Sequence, residues 1–368
     1  MYRFTNLILI IISVLILYSC DESTIADVAI NKKKPTQEVI DFDRSQHIII
    51  NRDELGVPNI HGKTDGDTAF GLGYSQAEDN FTELEFAYII SIGRAAEILG
   101  EEAILSDWVV HSFENSELSK RNYENASPKI KALLEGYANG INYYIDTHPN
   151  LERRLLEHIE PWYALALIRR WYYIGEYIGQ LGYTYEERIA AFEAINGSSQ
   201  IYSMQVTPNY YPISRKVFNR ISQSANWSNI EKSYVDKFIN PYLPANGVGQ
   251  AYKINMVSNE GWNLTGYVRF GHPLPFIGFN ENLDWVSRDN NSNHEDKWYS
   301  HFDENDNSLR FRYTDTMHNS NEWSSQIKIK GHEDRILKYR KTHLGVVIAK
   351  REGEMLSSNF VPYESPFH

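Results

Sequence analysis

The chain has 368 residues, 48 Asp and Glu against 36 Lys and Arg, a formal net charge of −12 and a single cysteine. The acidic balance argues against nucleic acid as a partner. One cysteine excludes a disulfide framework and any zinc site built on several thiolates.

Taken in chain order, Arg3 precedes an apolar run from Leu7 to Leu17, broken only by Ser13. That run is shorter than the roughly 20 residues a bilayer span needs, and it suits the core of a secretion signal. Leu17-Tyr18-Ser19-Cys20 follows at once and resembles the site where bacterial lipoproteins are cut and lipidated. The expectation is a signal peptide over 1–19 and a membrane anchor through lipidated Cys20. The protein would then sit in the cell envelope, facing the periplasm. Residues 20–45 are polar, include Lys32-Lys33-Lys34-Pro35 and read as a tether. As a flexible coil it would reach roughly 25–30 Å.

The folded part is expected to start near His47. Ile48 to Ile50 reads as a strand, Asp53 to Gly56 as a turn and Val57 to His61 as a returning strand. Thr64 or Asp65 can cap the helix that follows, which the pattern carries from Ala69 to Ile90. Ser127-Pro128 opens another helix, amphipathic from Ile130 to Ile145. Trp162 to Ile178 and Tyr185 to Ile195 read as two more, so 46–200 is a mainly helical segment. Residues 201–223 are polar, poorly patterned and spacer-like.

From about 245 onward the apolar residues come in short runs between Gly, Asn, Asp and Pro. Tyr252–Val257, Gly266–Phe270, Phe276–Phe279, Trp298–Phe302, Leu309–Tyr313, Ser325–Ile329 and Val346–Ala349 all read as strands. The fold class is α+β, helical first and antiparallel β second, with 224–368 as the β-segment.

Two blocks carry a family resemblance. The first is Arg52-Asp53-Glu54-Leu55-Gly56-Val57-Pro58-Asn59-Ile60-His61-Gly62, running through Ala69-Phe70-Gly71-Leu72-Gly73-Tyr74 and Ala77-Glu78-Asp79-Asn80 to Gly93-Arg94-Ala95-Ala96-Glu97. The second is Asn259-Glu260-Gly261-Trp262-Asn263-Leu264-Thr265-Gly266-Tyr267, then Pro273, Pro275, Ile277-Gly278-Phe279-Asn280 and Leu283-Asp284-Trp285. Thr342-His343-Leu344-Gly345-Val346-Val347 adds a later match. Together they resemble the penicillin acylase family over about 47 to 350. The resemblance implies an N-terminal-nucleophile hydrolase, an αββα sandwich whose early β strands floor an acyl pocket. The first block itself reads as scaffold, with its glycines allowing close helix packing and its acids capping.

The implied chemistry is hydrolysis of a linear amide with an apolar acyl group, such as an acyl-homoserine lactone, a β-lactam side chain or an acylated peptide. In the family a precursor is cut so that a Ser becomes an N-terminus. A Ser hydroxyl needs an adjacent base, and an α-amine with a pKa of about 7.7–8.0 can serve. The resemblance places that nucleophile at Ser224, three residues before Trp227, with Gln223 where the family has Gly and Ala225 where it has Asn. Tyr242, after Asn240-Pro241, stands where a His or Gln contacts the nucleophile's amine, and a phenol can donate and accept. Asp289 would offer the first oxyanion donor through its backbone N–H. Asn293, Glu295 and Asp296 match part of a structural calcium site, and Ca²⁺ takes six to eight oxygens.

The family's second oxyanion donor is an Asn of a downstream run, and the sequence reaches His368 before any such run. The resemblance is therefore to a C-terminally truncated relative with an incomplete sandwich, or one whose second half comes from a partner chain. The competing reading is a degenerate, inactive relative or a ligand-binding envelope lipoprotein. Gly73-Tyr74-Ser75-Gln76-Ala77 is similar to a nucleophile elbow but lies in a helical pattern. His294-Glu295-Asp296 reads as a solvated turn.

Overall fold

A computed structural model describes residues 43–170, 184–197, 251–286, 295–302 and 309–360. Strands β1 (Ile49–Arg52) and β2 (Pro58–Gly62) form an antiparallel hairpin. Its turn is held by Asp53, whose Oδ1 accepts the backbone N–H of Leu55 and of Val57, each at 2.9 Å. Helix α1 (Asp65–Ser91) follows. It starts four residues before the apolar period does, because Thr64 and Asp67 make a reciprocal capping box. It bends at Asn80, where the backbone leaves helical geometry.

The next stretch holds helices that periodicity did not reveal. α2 (Ala96–Leu99), a 3₁₀ turn (Glu101–Ala103), α3 (Ile104–Ser112) and α4 (Asn115–Glu124) are short, and α4 is mostly polar. A one-turn helix has no period to read. α5 (Pro128–Thr147) is capped by Ser127 with Pro128 in its first turn, as expected. α6 is described over Tyr163–Arg169, within the helix expected from Trp162, and α7 spans Tyr185–Asn196.

α1 and α5 meet backbone to backbone. A Cβ on Gly140 would lie 1.9 Å from the Phe70 carbonyl oxygen, and one on Gly136 would lie 2.1 Å from that of Gly66. Glycine is required there by proximity, and this is why the Gly-rich pattern is compatible with helix.

The first sheet has the order β1-β2-β3-β4-β5-β6, with β3 (Ala251–Ser258), β4 (Asn263–Arg269), β5 (Pro275–Phe279) and β6 (Asp284–Val286). All its pairings are antiparallel except β2 with β3. That parallel pair, Asn59↔Asn255 through Gly62↔Ser258, joins the N-terminal hairpin to the later strands. β3 alternates strictly: Tyr252, Ile254, Met256 and Ser258 are buried, and Lys253, Asn255 and Val257 are half-buried.

The second sheet has the order β10-β11-β12-β13-β7-β8-β9. Its strands are β7 (Glu295–Phe302), β8 (Arg310–Tyr313), β9 (Thr316–Asn319), β10 (Asn321–Ile327), β11 (Arg335–Thr342), β12 (Gly345–Arg351) and β13 (Glu354–Phe360). β9 and β10 lie at opposite ends of this order yet are separated only by Ser320. The sheet is therefore curled until its two ends are halves of one bent strand. Strands β9, β11 and β13 had no apolar run to announce them. β11, Arg-Ile-Leu-Lys-Tyr-Arg-Lys-Thr, buries Leu337 and Tyr339 and leaves Lys338 between them exposed.

Helices α3 and α7 pack on the second sheet. Trp108 of α3 donates from Nε1 to the Lys338 carbonyl at 2.9 Å and meets Phe192 of α7 edge-on. One continuous apolar core takes side chains from both sheets and from the helices. The α+β expectation, helices first and antiparallel sheets second, is what the chain forms. Among the described residues no helix is long and apolar enough to cross a membrane.

Candidate functional site

Ser224, Tyr242, Asp289 and Asn293 lie outside the described residues. Glu295 and Asp296 open β7, opposite Phe360 and Asn359 of β13. Among the described residues no three His, Cys, Asp or Glu side chains form a group that could hold a metal ion. The described part of the region is the sheet between the segments that carry Tyr242 and Asp289, namely β3 to β6.

This sheet has two different faces. On the face toward α1 runs the row Ile254, Gly266, Gly278 and Trp285, one residue from each strand. A Cβ on Gly278 would lie 2.5 Å from Cζ2 of Trp285, and one on Gly266 would lie 2.2 Å from the Ile277 carbonyl oxygen. Gly278 makes room for the indole, whose Nε1 donates to the Pro275 carbonyl at 3.2 Å, and Gly266 makes room for the backbone of β5. The other face carries a polar row. Asn255 Nδ2 donates to Asn59 Oδ1 and Thr265 Oγ1 donates to Asn255 Oδ1, both at 2.7 Å. Tyr267 and Ile277 stand beside it as apolar floor. A surface of this composition, apolar with a few fixed polar groups, is what an acyl amide site needs.

The β4–β5 turn is pinned from behind. Gln76 Oε1 accepts from the Tyr137 hydroxyl at 2.6 Å and from the Gly271 N–H at 2.8 Å, and the Tyr88 hydroxyl donates to the Gly271 carbonyl at 2.8 Å. Burial pushes both phenols up, so they stay protonated donors. His272 accepts the Leu274 N–H at Nδ1 (3.2 Å), and burial pushes its pKa down to about 4. The imidazole is therefore neutral. Tyr88, Tyr137 and His272 carry no motif in the sequence, and Gln76 is met there only as a member of the elbow-like pentapeptide. Three sit in helical patterns that read as ordinary core, and only the fold brings them to one turn.

Buried acids in and around the first block are engaged in scaffold contacts. Asp79 accepts from the Tyr252 hydroxyl at 2.7 Å and pairs with Arg52 at 3.2 Å. Asp65 accepts from the Ser258 hydroxyl at 2.6 Å and faces Lys129 at 3.2 Å. Glu85, fully buried, accepts the backbone N–H of Arg154, Leu155 and Leu156. Asp107 accepts those of Ala95 and Ala96. Ser75, the centre of the elbow-like pentapeptide, lies inside α1 and donates to the Gly71 carbonyl at 2.8 Å. That geometry is helical and excludes a nucleophile elbow.

Comparison with known proteins identifies relatives of the chain. The family model described as penicillin amidase matches residues 47–364. Penicillin acylase 2 proenzyme from Pseudomonas sp. (strain SE83) is 31% identical over 132 residues, which are 34% of this chain and 17% of that protein. Acyl-homoserine lactone acylase QuiP from Pseudomonas aeruginosa is 33% identical over 101 residues, 27% of this chain and 12% of that one. Penicillin G acylase from Escherichia coli is 31% identical over 102 residues, 28% and 12%. The aligned chain thus spans 17% or less of these curated relatives. Among solved structures, thermostable penicillin G acylase from Alcaligenes faecalis in its tetragonal form aligns with a TM-score of 0.30 and 18% identity, over 45% of this chain and 96% of that chain.

Proposed function

The chain belongs to the penicillin amidase family, and on that premise we propose that it serves hydrolysis of a linear amide with an apolar acyl group. The observation that carries the reading is the family match, which runs from the β1–β2 hairpin through the second sheet and so covers both halves of the fold. The face of β3 to β5 turned away from α1 supports it with the buried apolar pair Tyr267 and Ile277 beside an ordered, half-buried polar row.

In the proposed chemistry the precursor is cut between Gln223 and Ser224. The new α-amine takes the Ser224 hydroxyl proton as Oγ attacks the amide carbonyl, and hands it to the departing nitrogen as the C–N bond breaks, releasing the amine and leaving an ester on Ser224. Water then cleaves the Ser224 ester, freeing the acid. Tyr242 would hold the α-amine, and the Asp289 N–H would bind the oxyanion, where one donor is worth about 10²–10³ in rate. The substrate is a small N-acyl amide. A structural calcium touching Asn293, Glu295 and Asp296 belongs to the same proposal, as does a partner chain completing the catalytic set. So do the signal peptide over 1–19, the Cys20 anchor and the envelope location.

Intact-mass spectrometry of the purified protein tests the reading. The expected result is a chain beginning at Ser224, absent in Ser224→Ala; an uncut wild-type chain overturns it. A second reading, a family member that binds acyl amides without turnover, draws on Gln223 and Tyr242, which depart from the family residues. It predicts an uncut chain that still binds a fluorescent fatty acyl amide.

A further inference from the structure

The polar row on the face of the first sheet turned away from α1 has a direction, and its hydrogen-bond network assigns every proton in it. Asn59 Nδ2 donates to the Asn51 carbonyl of β1 at 3.2 Å and to the Val57 carbonyl at 3.3 Å. Carbonyl oxygens only accept, so the Asn59 amide has one orientation and its Oδ1 faces Asn255. Asn255, 2.7 Å away, must answer with Nδ2. That turns Asn255 Oδ1 toward Thr265, also at 2.7 Å, where the proton between the two oxygens can come only from the Thr265 hydroxyl. Asn59, Asn255 and Thr265 stand side by side on β2, β3 and β4. The relay starts on backbone carbonyls and ends on Thr265 Oγ1, whose own proton is committed. What Oγ1 has left to offer is lone pairs, so it is an acceptor and not a donor.

The neighbours of that atom on the same face are apolar. Thr265 pairs across β5 with Phe279, which is half-buried. Two residues along β4 comes Tyr267, opposite Ile277, both buried. In the other direction Asn263 is exposed, and Thr265 itself is half-buried. One fixed acceptor therefore sits where an apolar strip meets the open end of the sheet. Its complement is a ligand that brings an apolar chain and one N–H. A secondary amide does so. An ester of the same shape brings an oxygen to that place, and two sets of lone pairs then face each other with no proton between them. Because the relay is already ordered in the free protein, binding does not have to order it.

We propose that Thr265 is a substrate-positioning residue that accepts the N–H of a bound secondary acyl amide, with Asn255 and Asn59 holding its lone pairs toward the ligand. The assignment rests on the acyl amide reading above and narrows it, because it makes the site choose amides over esters of equal shape. Asn255 and Asn59 act through Thr265 and touch no ligand in this role. Their contribution is to remove the donor alternative from the hydroxyl, which a free Thr would keep. A site built to pair with an N–H rejects the analogue that lacks it, since the site's polar atom is then left without a partner.

The test compares N-butyloctanamide with butyl octanoate, in which oxygen replaces the N–H, by ligand-observed NMR on the full chain. Where a ligand is turned over, kcat/KM takes the place of the affinity. The quantity read is the amide-to-ester preference of the wild type divided by that of a variant, in which the solubility and intrinsic reactivity of the two ligands cancel. Thr265→Val keeps the branched shape that suits a strand and removes the acceptor, so the preference should fall about tenfold. Asn255→Ala keeps the Thr265 hydroxyl but frees its proton to turn toward an ester. The preference should fall there too, through tighter ester binding, which a merely structural role would not produce. Thr265→Ser, which restores a hydroxyl, should restore most of it. An unchanged preference in Thr265→Val overturns the assignment and leaves the acyl amide reading standing. If that variant does not fold, an unchanged preference in Asn255→Ala does the same. A wild-type chain that takes neither ligand overturns the acyl amide reading, and the assignment with it.

Discussion

In the first sheet each strand from β2 to β5 is laddered on both sides, and the turn between β4 and β5 is gripped by Gln76, Tyr88 and Tyr137 from two helices. In the second sheet the β8–β9 hairpin has a short ladder on one side and rings on the other. Both regions bury aromatic groups, so burial alone does not separate them. What differs is the cost of breaking a contact. Hydrogen bonds to buried backbone groups leave costly orphans when broken, whereas a ring pair adds only about 0.5–1.5 kcal/mol beyond its burial and leaves no orphan behind. The rigid region is the one that floors the proposed acyl site, and the looser one lies in the other sheet.

The strongest test of that difference is Gly140→Ala. The new methyl would sit 1.9 Å from a backbone oxygen that no rotamer can move, so α1 and α5 must part. The expected loss is about 3 kcal/mol or more in urea unfolding, beyond ordinary overpacking. Gly331→Ala meets nothing within 4 Å and has a positive φ, so it should cost only about 1 kcal/mol. Equal losses would mean that close helix packing does not hold the first sheet's support together.

Glu83 sharpens the comparison from inside the rigid region. Asn80 caps its N–H at 3.3 Å, but one carboxyl oxygen has no partner among the described residues. Burial pushes its pKa up to about 7. A raised carboxyl pKa means that its stability contribution is complete below the ordinary value of about 4.5 and is lost as pH rises through 7. Glu83→Gln should therefore be neutral near pH 4 and stabilising by about 1–3 kcal/mol at pH 8. A destabilised variant at pH 8 would show that the charged form is held by a partner.

How far the sequence carried can be judged residue by residue. Thr64, Ser127 and the Asp53 turn were legible because caps and turns are local chemistry. The β3 alternation was legible because its inward face is apolar. α2, β9 and β11 were not, since a single turn has no period and β11 owes its place to neighbours that bury Leu337 and Tyr339. The site divides the same way. The nucleophile assignment rests on motif position at Ser224. The Gly278–Trp285 contact and the Gln76 grip exist only once β4, β5, β6 and two helices are brought together, and no spacing along the chain encodes that.

The smallest expected effect is Thr342→Val, and it separates the two regions most finely. Thr342 Oγ1 accepts the Leu344 N–H at 3.1 Å and donates either to the Gly345 carbonyl across the turn at 3.3 Å or to Ser357 Oγ of β13 at 3.1 Å. Valine keeps the shape and removes the hydroxyl, leaving one buried N–H without a partner, for about 1 kcal/mol. Because this turn carries His343, whose ring stacks on Phe311 of β8, the loss should appear mainly as faster exchange in the β11–β12 turn and the β8–β9 hairpin, with the β3–β5 amides unchanged. Equal loosening of β3 to β5 would mean that the two sheets open as one unit. The contrast between them would then be one of geometry and not of stability.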